Sequence, residues 1–209
     1  MKNYIIEFIG TFFLVLTIGM TGDPIAIGSM LMVMVYMGGH ISGAHYNPAV
    51  SISMKIMGLL TTKELSGYII SQIFGSMFAA LIVCWLNNSL MFISVGDYDS
   101  SQILFVEAIC TFALLMVIFN VAVNPKTEGN SYYGLAIGFT IFAAASLGGG
   151  ISGGVYNPAV GIGPIIIQLF QDVSQESSIL NGLGNLWYYI VGPIIGALCA
   201  TYIYKITRD

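Results

Sequence analysis

Charged side chains are scarce in this sequence. Six lysines and arginines and ten aspartates and glutamates make up 8% of 209 residues, whereas a soluble domain carries about a quarter. So few charges cannot cover a water-facing surface, which excludes an ordinary soluble fold. The net charge is −4 and the basic residues form no stripe. This excludes nucleic acid as a partner, because binding its phosphates requires a basic surface.

Cysteine is also rare. The three cysteines, Cys84, Cys110 and Cys199, fall inside apolar stretches, and their spacing suits neither a disulfide framework nor a metal site. The sequence has no phosphate-binding loop and no pairing of nucleophile and base within its apolar stretches. We therefore expect no catalytic residues, no metal and no cofactor, so the chain is not expected to be an enzyme.

Long apolar runs are abundant instead, and hydrophobic residues make up 56% of the chain. A helix needs about 20 apolar residues to cross a hydrocarbon core of about 30 Å. Two apolar stretches, 47–60 and 157–170, are too short to cross and too apolar to lie in water, which is typical of re-entrant segments. The predicted fold is an all-α membrane protein with six transmembrane helices and two re-entrant half-helices. The six predicted spans are residues 4–22, 24–38, 66–86, 103–123, 133–148 and 187–204.

The basic residues orient the predicted helices. With both termini in the cytoplasm, every lysine and arginine falls on the cytoplasmic side, as the positive-inside rule requires. We therefore expect a multi-pass protein of the plasma or inner membrane with cytoplasmic termini. The first apolar stretch could also be read as a signal peptide, but residues 19–22 make a poor cleavage site, which favours a retained helix.

The chain contains an internal repeat. Residues 39–50 and 149–160 are identical at nine of twelve positions, and Glu7 matches Glu107 in the helix ahead of each copy. Each half holds three predicted crossings, an odd number, so the second half must lie inverted relative to the first. We predict a first repeat over 1–95 and an inverted second repeat over 96–209, whose half-helices meet near the midplane.

Both copies of the repeat contain an Asn-Pro-Ala motif. Asparagine is a preferred N-cap and proline a preferred first helical residue, so each motif predicts the start of a half-helix. Two opposed N-termini would place about half a positive charge each at one constriction, and the asparagine amides could donate to a solute oxygen. The glycine-rich stretches 38–43 and 148–154 are expected to be extended and to line a pore. The motifs are Asn47-Pro48-Ala49 and Asn157-Pro158-Ala159.

The chain resembles the aquaporin, or major intrinsic protein, family over nearly its whole length. Segments 7–11, 42–50, 67–72 and 189–197 carry the resemblance, together with the two motifs in matching register. The resemblance implies a passive channel for water and small uncharged solutes. It also implies a homotetramer in the lipid bilayer, with one pore in each protomer.

One position departs from the family. Most members have an arginine after the second motif, where this chain has Val160, and the other filter positions fall at Ile27, Ala145 and Gly154. A ring of these residues offers no side-chain donor and little bulk, which predicts a wide, apolar filter. Such a filter favours glycerol, urea, ammonia or undissociated metalloid acids such as arsenous acid; some bacterial members with valine at this place are linked to arsenical passage.

Four polar residues are further candidates for lining the pore or bracing its loops. Glu7 and Glu107 lie inside predicted spans, where an ionisable group has a functional role by default. In the family such glutamates accept hydrogen bonds from the re-entrant loops, which favours bracing over a proton relay. His40 and His45 precede the first half-helix, and we expect them to line the pore or hold the loop rather than gate it with pH. Neither histidine has a second ligand for zinc nearby.

Two other functions stay open. The first is a strictly water-selective aquaporin. The second is a coupled small-solute carrier, although the spans hold no third acidic residue for ion coupling. Flux that saturates steeply or depends on a proton gradient would favour the carrier, and linear, gradient-independent flux the channel.

Overall fold

The computed structural model describes residues 1–170 and 176–208 and contains only helices and connecting segments there. Six helices are long and apolar enough to cross a membrane. Since six crossings return the chain to its starting side, both described ends lie on one face, here called the terminal face; segments 22–23 and 88–99 lie on the opposite face. The spanning helices are α1 (Lys2–Thr21), α2 (Pro24–Ser42), α4 (Thr62–Asn87), α5 (Ser100–Ile118), α6 (Tyr133–Ser152) and α8 (Glu176–Thr207).

Two shorter helices complete the bundle: α3 (Pro48–Ile56) and α7 (Pro158–Leu169). At about 1.5 Å per residue, helices of 9 and 12 residues extend only part of the way across a hydrocarbon core of about 30 Å. These are the two expected half-helices. The order of span, span, half-helix, span occurs before and after segment 88–99, which contains the predicted boundary between the repeats.

Local sequence signals set several helix ends. The carboxylate of Asp23 accepts from the amides of Ile25 and Ala26 at 2.7 and 3.1 Å and so caps α2. Thr61 and Glu64 form a reciprocal capping box at the start of α4, which satisfies two otherwise unpaired N–H groups. After α5 the chain makes one wider π-helical turn, Phe119–Val123, before segment 124–132 crosses the terminal face.

Close helix packing depends on small residues at matched places. A β-carbon on Gly75 of α4 would lie 2.5 Å from the Phe8 carbonyl oxygen of α1, and one on Gly196 of α8 would lie 2.0 Å from the Ala108 oxygen of α5. Both separations are far below van der Waals contact, so only glycine permits these two helix pairs to approach so closely. This is the packing that small residues allow between membrane helices.

Four expected helix boundaries were wrong. The glycine-rich stretches are not extended throughout, because α2 continues to Ser42 and α6 to Ser152. The first half-helix ends at Ile56 rather than at residue 60, since Gly58 takes a positive φ of 80°. The last span begins well before residue 187, because the less apolar residues 176–186 extend α8 toward the opposite face.

The glycines inside α2 and α6 have a packing role. A β-carbon on Gly38 would lie 1.9 Å from the Tyr46 hydroxyl oxygen, and one on Gly148 would lie 2.1 Å from the Tyr156 hydroxyl oxygen. These hydroxyls donate to the carbonyls of Met34 and Ala144, both at 2.9 Å. The glycines therefore make room for tyrosines that tie each re-entrant loop to a spanning helix.

This packing gives a prediction with an internal control. Gly148→Ala should destabilise the protein by about 1–3 kcal/mol, because the methyl group displaces the Tyr156 ring. Gly149→Ala should have no such effect, since a β-carbon there meets nothing within 4 Å. Thermal unfolding of both variants in the same detergent provides the measurement, and equal melting temperatures would contradict the proposed packing.

Candidate functional site

The two asparagines cap the half-helices that meet inside the bundle. The side-chain oxygen of Asn47 accepts from the Ala49 amide at 2.9 Å, and that of Asn157 accepts from the Ala159 amide at 3.0 Å. Both asparagines are only 4% exposed. Each proline stands at the first helical position, where its missing N–H leaves no donor unpaired. Asn47-Pro48 and Asn157-Pro158 thus begin α3 and α7 as expected from the sequence.

Each asparagine also bonds to the other half of the chain. The Asn47 amide nitrogen donates to the Tyr156 carbonyl at 2.9 Å, and the Asn157 amide nitrogen donates to the Tyr46 carbonyl at 2.8 Å. An amide group carries two N–H donors, so one donor on each side chain remains for a passing solute. The crossed bonds fix the direction of these two donors.

The carboxylate of Glu7 holds the first re-entrant loop. Its Oε1 accepts from the Ser42 hydroxyl at 2.6 Å and the His45 amide at 3.0 Å. Its Oε2 accepts from the Tyr46 amide at 2.7 Å and the Gln72 side chain at 2.8 Å. Four donors from three different elements therefore converge on one fully buried carboxylate.

Glu107 makes the matching contacts in the second half. Its Oε1 accepts from the Ser152 hydroxyl at 2.6 Å and the Val155 amide at 3.0 Å, and its Oε2 accepts from the Tyr156 amide at 2.6 Å. Buried backbone donors on a non-helical segment need such partners. Both glutamates occupy positions in which they brace the loops.

The first loop has polar support that the second lacks. Gln72 also donates to the Ser51 hydroxyl at 3.0 Å, and Ser51 lies 3.1 Å from the Nδ1 of His45. The corresponding positions of the second half hold Val155, Gly161 and Pro193. The network therefore runs from Glu7 to the His45 ring in one half only.

A continuous cavity of about 810 Å³ passes both asparagines. Near the opposite face its walls include Ile18 and Ile27, and at the terminal face they include Asn124, Thr127 and Asn130. Aliphatic side chains of α2, α5 and α6 form one side of the cavity, whereas the re-entrant loops form the other. A solute in this cavity meets an apolar surface on one side and polar groups on the other.

The four predicted filter residues do not all lie in the cavity wall. Ile27, Gly154 and Val160 line it, whereas Ala145 is buried but is not one of the lining residues. Ile141, one helical turn before Ala145, lines the cavity instead. Each lining residue of the predicted ring is aliphatic or glycine, and their role in selecting solutes stays a prediction.

The chain's single arginine is Arg208, close to the C-terminus. No arginine side chain can therefore stand in for the missing one at a different position of the cavity wall. Among the described residues, the cavity wall includes no lysine either, and its one carboxylate is Glu128 at the terminal face. The filter region thus carries no fixed side-chain charge.

Both histidines line the cavity on its terminal side. His40 is exposed there, whereas His45 packs its ring 5.0 Å from that of Tyr68 and bonds to Ser51. Within the described residues, no three histidine, cysteine, aspartate or glutamate side chains are close enough together to hold a metal ion.

Sequence reasoning missed several residues of the site. Ser42, Ser152, Tyr46 and Tyr156 occupy identical places in the repeated segment, so the repeat itself could have indicated a structural role for them. Gln72 and Ser51 have no counterparts in the second half, so the repeat gave no signal for them.

The half-helices, the crossed asparagines and the continuous cavity define an integral membrane channel with six spans. Comparison with known proteins supports this assignment. The model of the family described as major intrinsic protein matches residues 1–204. A glycerol uptake facilitator protein-like 6 of Lactiplantibacillus plantarum is 36% identical, covering 99% of this chain and 98% of its own. A probable NIP-type aquaporin of Nicotiana alata is 34% identical, covering 100% and 78% respectively.

A solved structure supports the same fold. The aquaglyceroporin of Plasmodium falciparum superposes with a TM-score of 0.82 at 23% identity, covering 99% of this chain and 96% of that one. The chain belongs to the major intrinsic protein family. It is a channel for water and small solutes rather than an enzyme.

Proposed function

We propose that this channel passes small neutral solutes larger than water through a wide, apolar filter. The observation that carries the proposal is that Ile27, Gly154 and Val160, with Ile141 in place of Ala145, line the cavity at the predicted filter without a side-chain donor or a charge. Without the bulk of an arginine the ring has room for a polyol or urea. Glycerol, urea, ammonia and undissociated metalloid acids such as arsenous acid fit this description.

Solute passage would follow the polar side of the cavity. A hydroxyl can exchange its water partners for the loop carbonyls and then for the free donors of Asn47 and Asn157, while its carbon skeleton faces the aliphatic side. Cations are disfavoured at the same point, because the N-termini of α3 and α7 add positive potential there. The fixed donors also interrupt a continuous chain of waters, which opposes proton passage.

The two alternative functions, a strictly water-selective channel and a coupled carrier, would each require a different site. A strictly water-selective channel would need a ring narrowed by bulky aromatic or charged side chains, and the residues lining the predicted filter are all aliphatic or glycine. A coupled carrier would need an acidic residue exposed to the pathway near the midplane, but Glu7 and Glu107 are fully buried and bonded to the loops. Passive flux is therefore the favoured mode.

The terminal face is proposed to be cytoplasmic. Lys55 and Lys126 are near the ends of helices that reach this face, together with Lys2, Lys63, Lys205 and Arg208, in agreement with the positive-inside rule. The plasma or inner membrane is the proposed location. A homotetramer with four separate pores is the proposed assembly, as the family resemblance implies.

Val160→Arg tests the filter directly. The longer, charged side chain should narrow the ring and raise the barrier for glycerol more than for water, lowering glycerol flux by about tenfold for each 1.4 kcal/mol added. Urea and arsenous acid should be affected in order of their size. Stopped-flow light scattering of proteoliposomes, with all four solutes measured in parallel, provides the comparison.

Val160→Leu is the matched control, because it adds bulk without a charge or a donor. Its effect should be much smaller than that of arginine and similar for glycerol and urea. A parent protein that passes water alone would overturn the proposal of a wide filter. Flux that depends on a proton gradient would favour the carrier.

A further inference from the structure

A histidine on the terminal side of the channel is held by a polar network. His45 lies two residues before Asn47 and lines the cavity. Its Nδ1 is 3.1 Å from the Ser51 hydroxyl oxygen. A neutral imidazole has one N–H, and the hydrogen bond that one ring nitrogen makes determines which of the two carries the proton. The direction of the bond to Ser51 therefore determines what the ring presents to a solute.

The direction of the hydrogen bonds in this network is set at Glu7. Its carboxylate accepts from four donors, and one of them is the Gln72 amide nitrogen at 2.8 Å. The reverse orientation of this amide would place its oxygen against the carboxylate, where neither group has a hydrogen to donate. Gln72 keeps its nitrogen toward Glu7 although its own Oε1 is left without a partner. The bonds of the nitrogen therefore determine the orientation of the amide.

The second N–H of Gln72 fixes the Ser51 hydroxyl. It donates to the Ser51 oxygen at 3.0 Å, so Ser51 must direct its own hydrogen elsewhere. Among the described residues, the only other hydrogen-bond partner of this hydroxyl is His45 Nδ1. Nδ1 is then an unprotonated acceptor, and the hydrogen of the ring lies on Nε2. An imidazolium, with a proton on both nitrogens, would leave the Ser51 hydrogen without this acceptor.

The Nε2 edge of the ring is open to the cavity. Nε2 bonds to no protein group in the part of the chain that the structure describes, yet it is not one of the four side-chain atoms that are buried there without a partner. A β-carbon on Gly43, which also lines the cavity, would lie 3.2 Å from Nε2. Gly43 has a positive φ of 84°, so the backbone turn and the open edge of the ring both favour glycine here.

The packing of the ring favours the same orientation. The centroid of the His45 ring lies 5.0 Å from that of Tyr68. Turning the imidazole over would place the carbon atom Cδ2 against the Ser51 hydroxyl, and the hydrogen bond would be lost. Nδ1 therefore faces the half-helix, and Nε2 faces the channel.

The second half has no equivalent donor. Val155 stands where the first half has His45, and no hydroxyl or amide side chain replaces Ser51 and Gln72. Val155 lines the cavity but has no side-chain donor. The polar wall of the channel is therefore asymmetric about the two motif asparagines.

We infer that Gln72 and Ser51 are positioning residues that hold the His45 imidazole with its Nε2–H directed into the channel. This N–H donates to a solute oxygen on the terminal side of the asparagine amides. It serves water and larger solutes alike, so the inference rests on the channel function of the family and not on the solute range proposed above.

Solid-state NMR at neutral pH tests the tautomer, with the histidines labelled with ¹³C and ¹⁵N and the protein in liposomes. The chain has two histidines, so His40→Gln leaves only the His45 signals. The protonated ring nitrogen should correlate with Cδ2, which is bonded to Nε2 and not to Nδ1. Magnetisation from water should reach Nε2 before Nδ1. A proton on Nδ1, protons on both nitrogens, or faster transfer to Nδ1 would overturn the inference.

Ser51→Ala tests the positioning, and Ser53→Ala is its control. Both serines are fully buried on α3, but the Ser53 hydroxyl donates to the Ala197 carbonyl at 3.3 Å and not to the histidine. In the His40→Gln background, Ser51→Ala should shift the Nδ1 resonance and add a second set of signals with the proton on Nδ1. Ser53→Ala should leave the His45 signals in place. Identical spectra of the two serine variants would contradict the role of Ser51.

Flux through the same liposomes tests the donor. Ser51→Ala should lower flux by about threefold or more relative to Ser53→Ala, as expected when a solute loses part of a hydrogen bond. Water and glycerol are both measured, so a parent that passes water alone would overturn the wide filter but not this inference. Equal flux through the two serine variants, despite altered His45 signals in Ser51→Ala, would overturn the role of Nε2–H as a solute donor.

Discussion

Asn157→Asp is expected to lower neutral-solute flux by about tenfold or more, which corresponds to an energy barrier raised by at least about 1.4 kcal/mol. A carboxylate has no N–H to donate to the Tyr46 carbonyl, which the parent amide reaches at 2.8 Å. Two acceptors would then face each other, and an ionised group would cancel the positive potential at the N-terminus of α7. The repulsion would move the loops, and the loss of potential would weaken cation exclusion.

The measurement combines glycerol flux with sodium leak in the same liposomes. Asn47→Asp should behave similarly, because its amide makes the symmetric bond to Tyr156. Asn87→Asp is the control, since Asn87 is exposed at the end of α4, far from the cavity wall. Unchanged flux and unchanged cation exclusion in both pore variants would contradict a constriction at the two asparagines.

Glu107→Leu is expected to prevent stable folding. Leucine would leave the Val155 and Tyr156 amides and the Ser152 hydroxyl without their acceptor. An unsatisfied buried donor costs roughly 1–3 kcal/mol. The cost of leaving all three donors unsatisfied therefore approaches the whole free energy of unfolding of a domain, about 5–15 kcal/mol. The amount of protein that elutes as a single species on size-exclusion chromatography should fall sharply.

Glu107→Gln tests whether the loop depends on the hydrogen bonds that Glu107 accepts or on its negative charge. Its one oxygen can replace Oε1 or Oε2 but not both, so stability should lie between those of the parent and the leucine variant. Phe105→Leu, two residues earlier and 64% exposed, controls for substitution in α5. A leucine variant with normal yield and flux would show that the loop does not need this carboxylate.

The main features of the fold were predictable because membrane helices follow simple length and polarity rules. The six spans, the two half-helices and their Asn-Pro starts follow from apolar run lengths and capping chemistry. Helix ends near glycines were not predictable. Gly38 and Gly148 looked like helix breakers, but they are helical residues that accommodate the tyrosine rings of distant loops.

The candidate site was predictable only where the repeat duplicated it. Glu7 and Glu107 stood out because each occurs at the same place ahead of the motif. Gln72 did not, because its contacts to Glu7 and Ser51 join residues 65 and 21 positions apart. Ala145 was assigned to the filter by counting back from Asn157, and such a count does not show that Ile141 lines the cavity instead.

The crossed asparagine bonds have a consequence for how the protein is made. Asn47 and its half-helix are synthesised more than a hundred residues before the Tyr156 carbonyl that they need. The first half can enter the bilayer with its loop held by Glu7, but its constriction has no opposite wall until α7 arrives. Completion of the constriction is therefore a late event in the synthesis of the chain, since it waits for the second half.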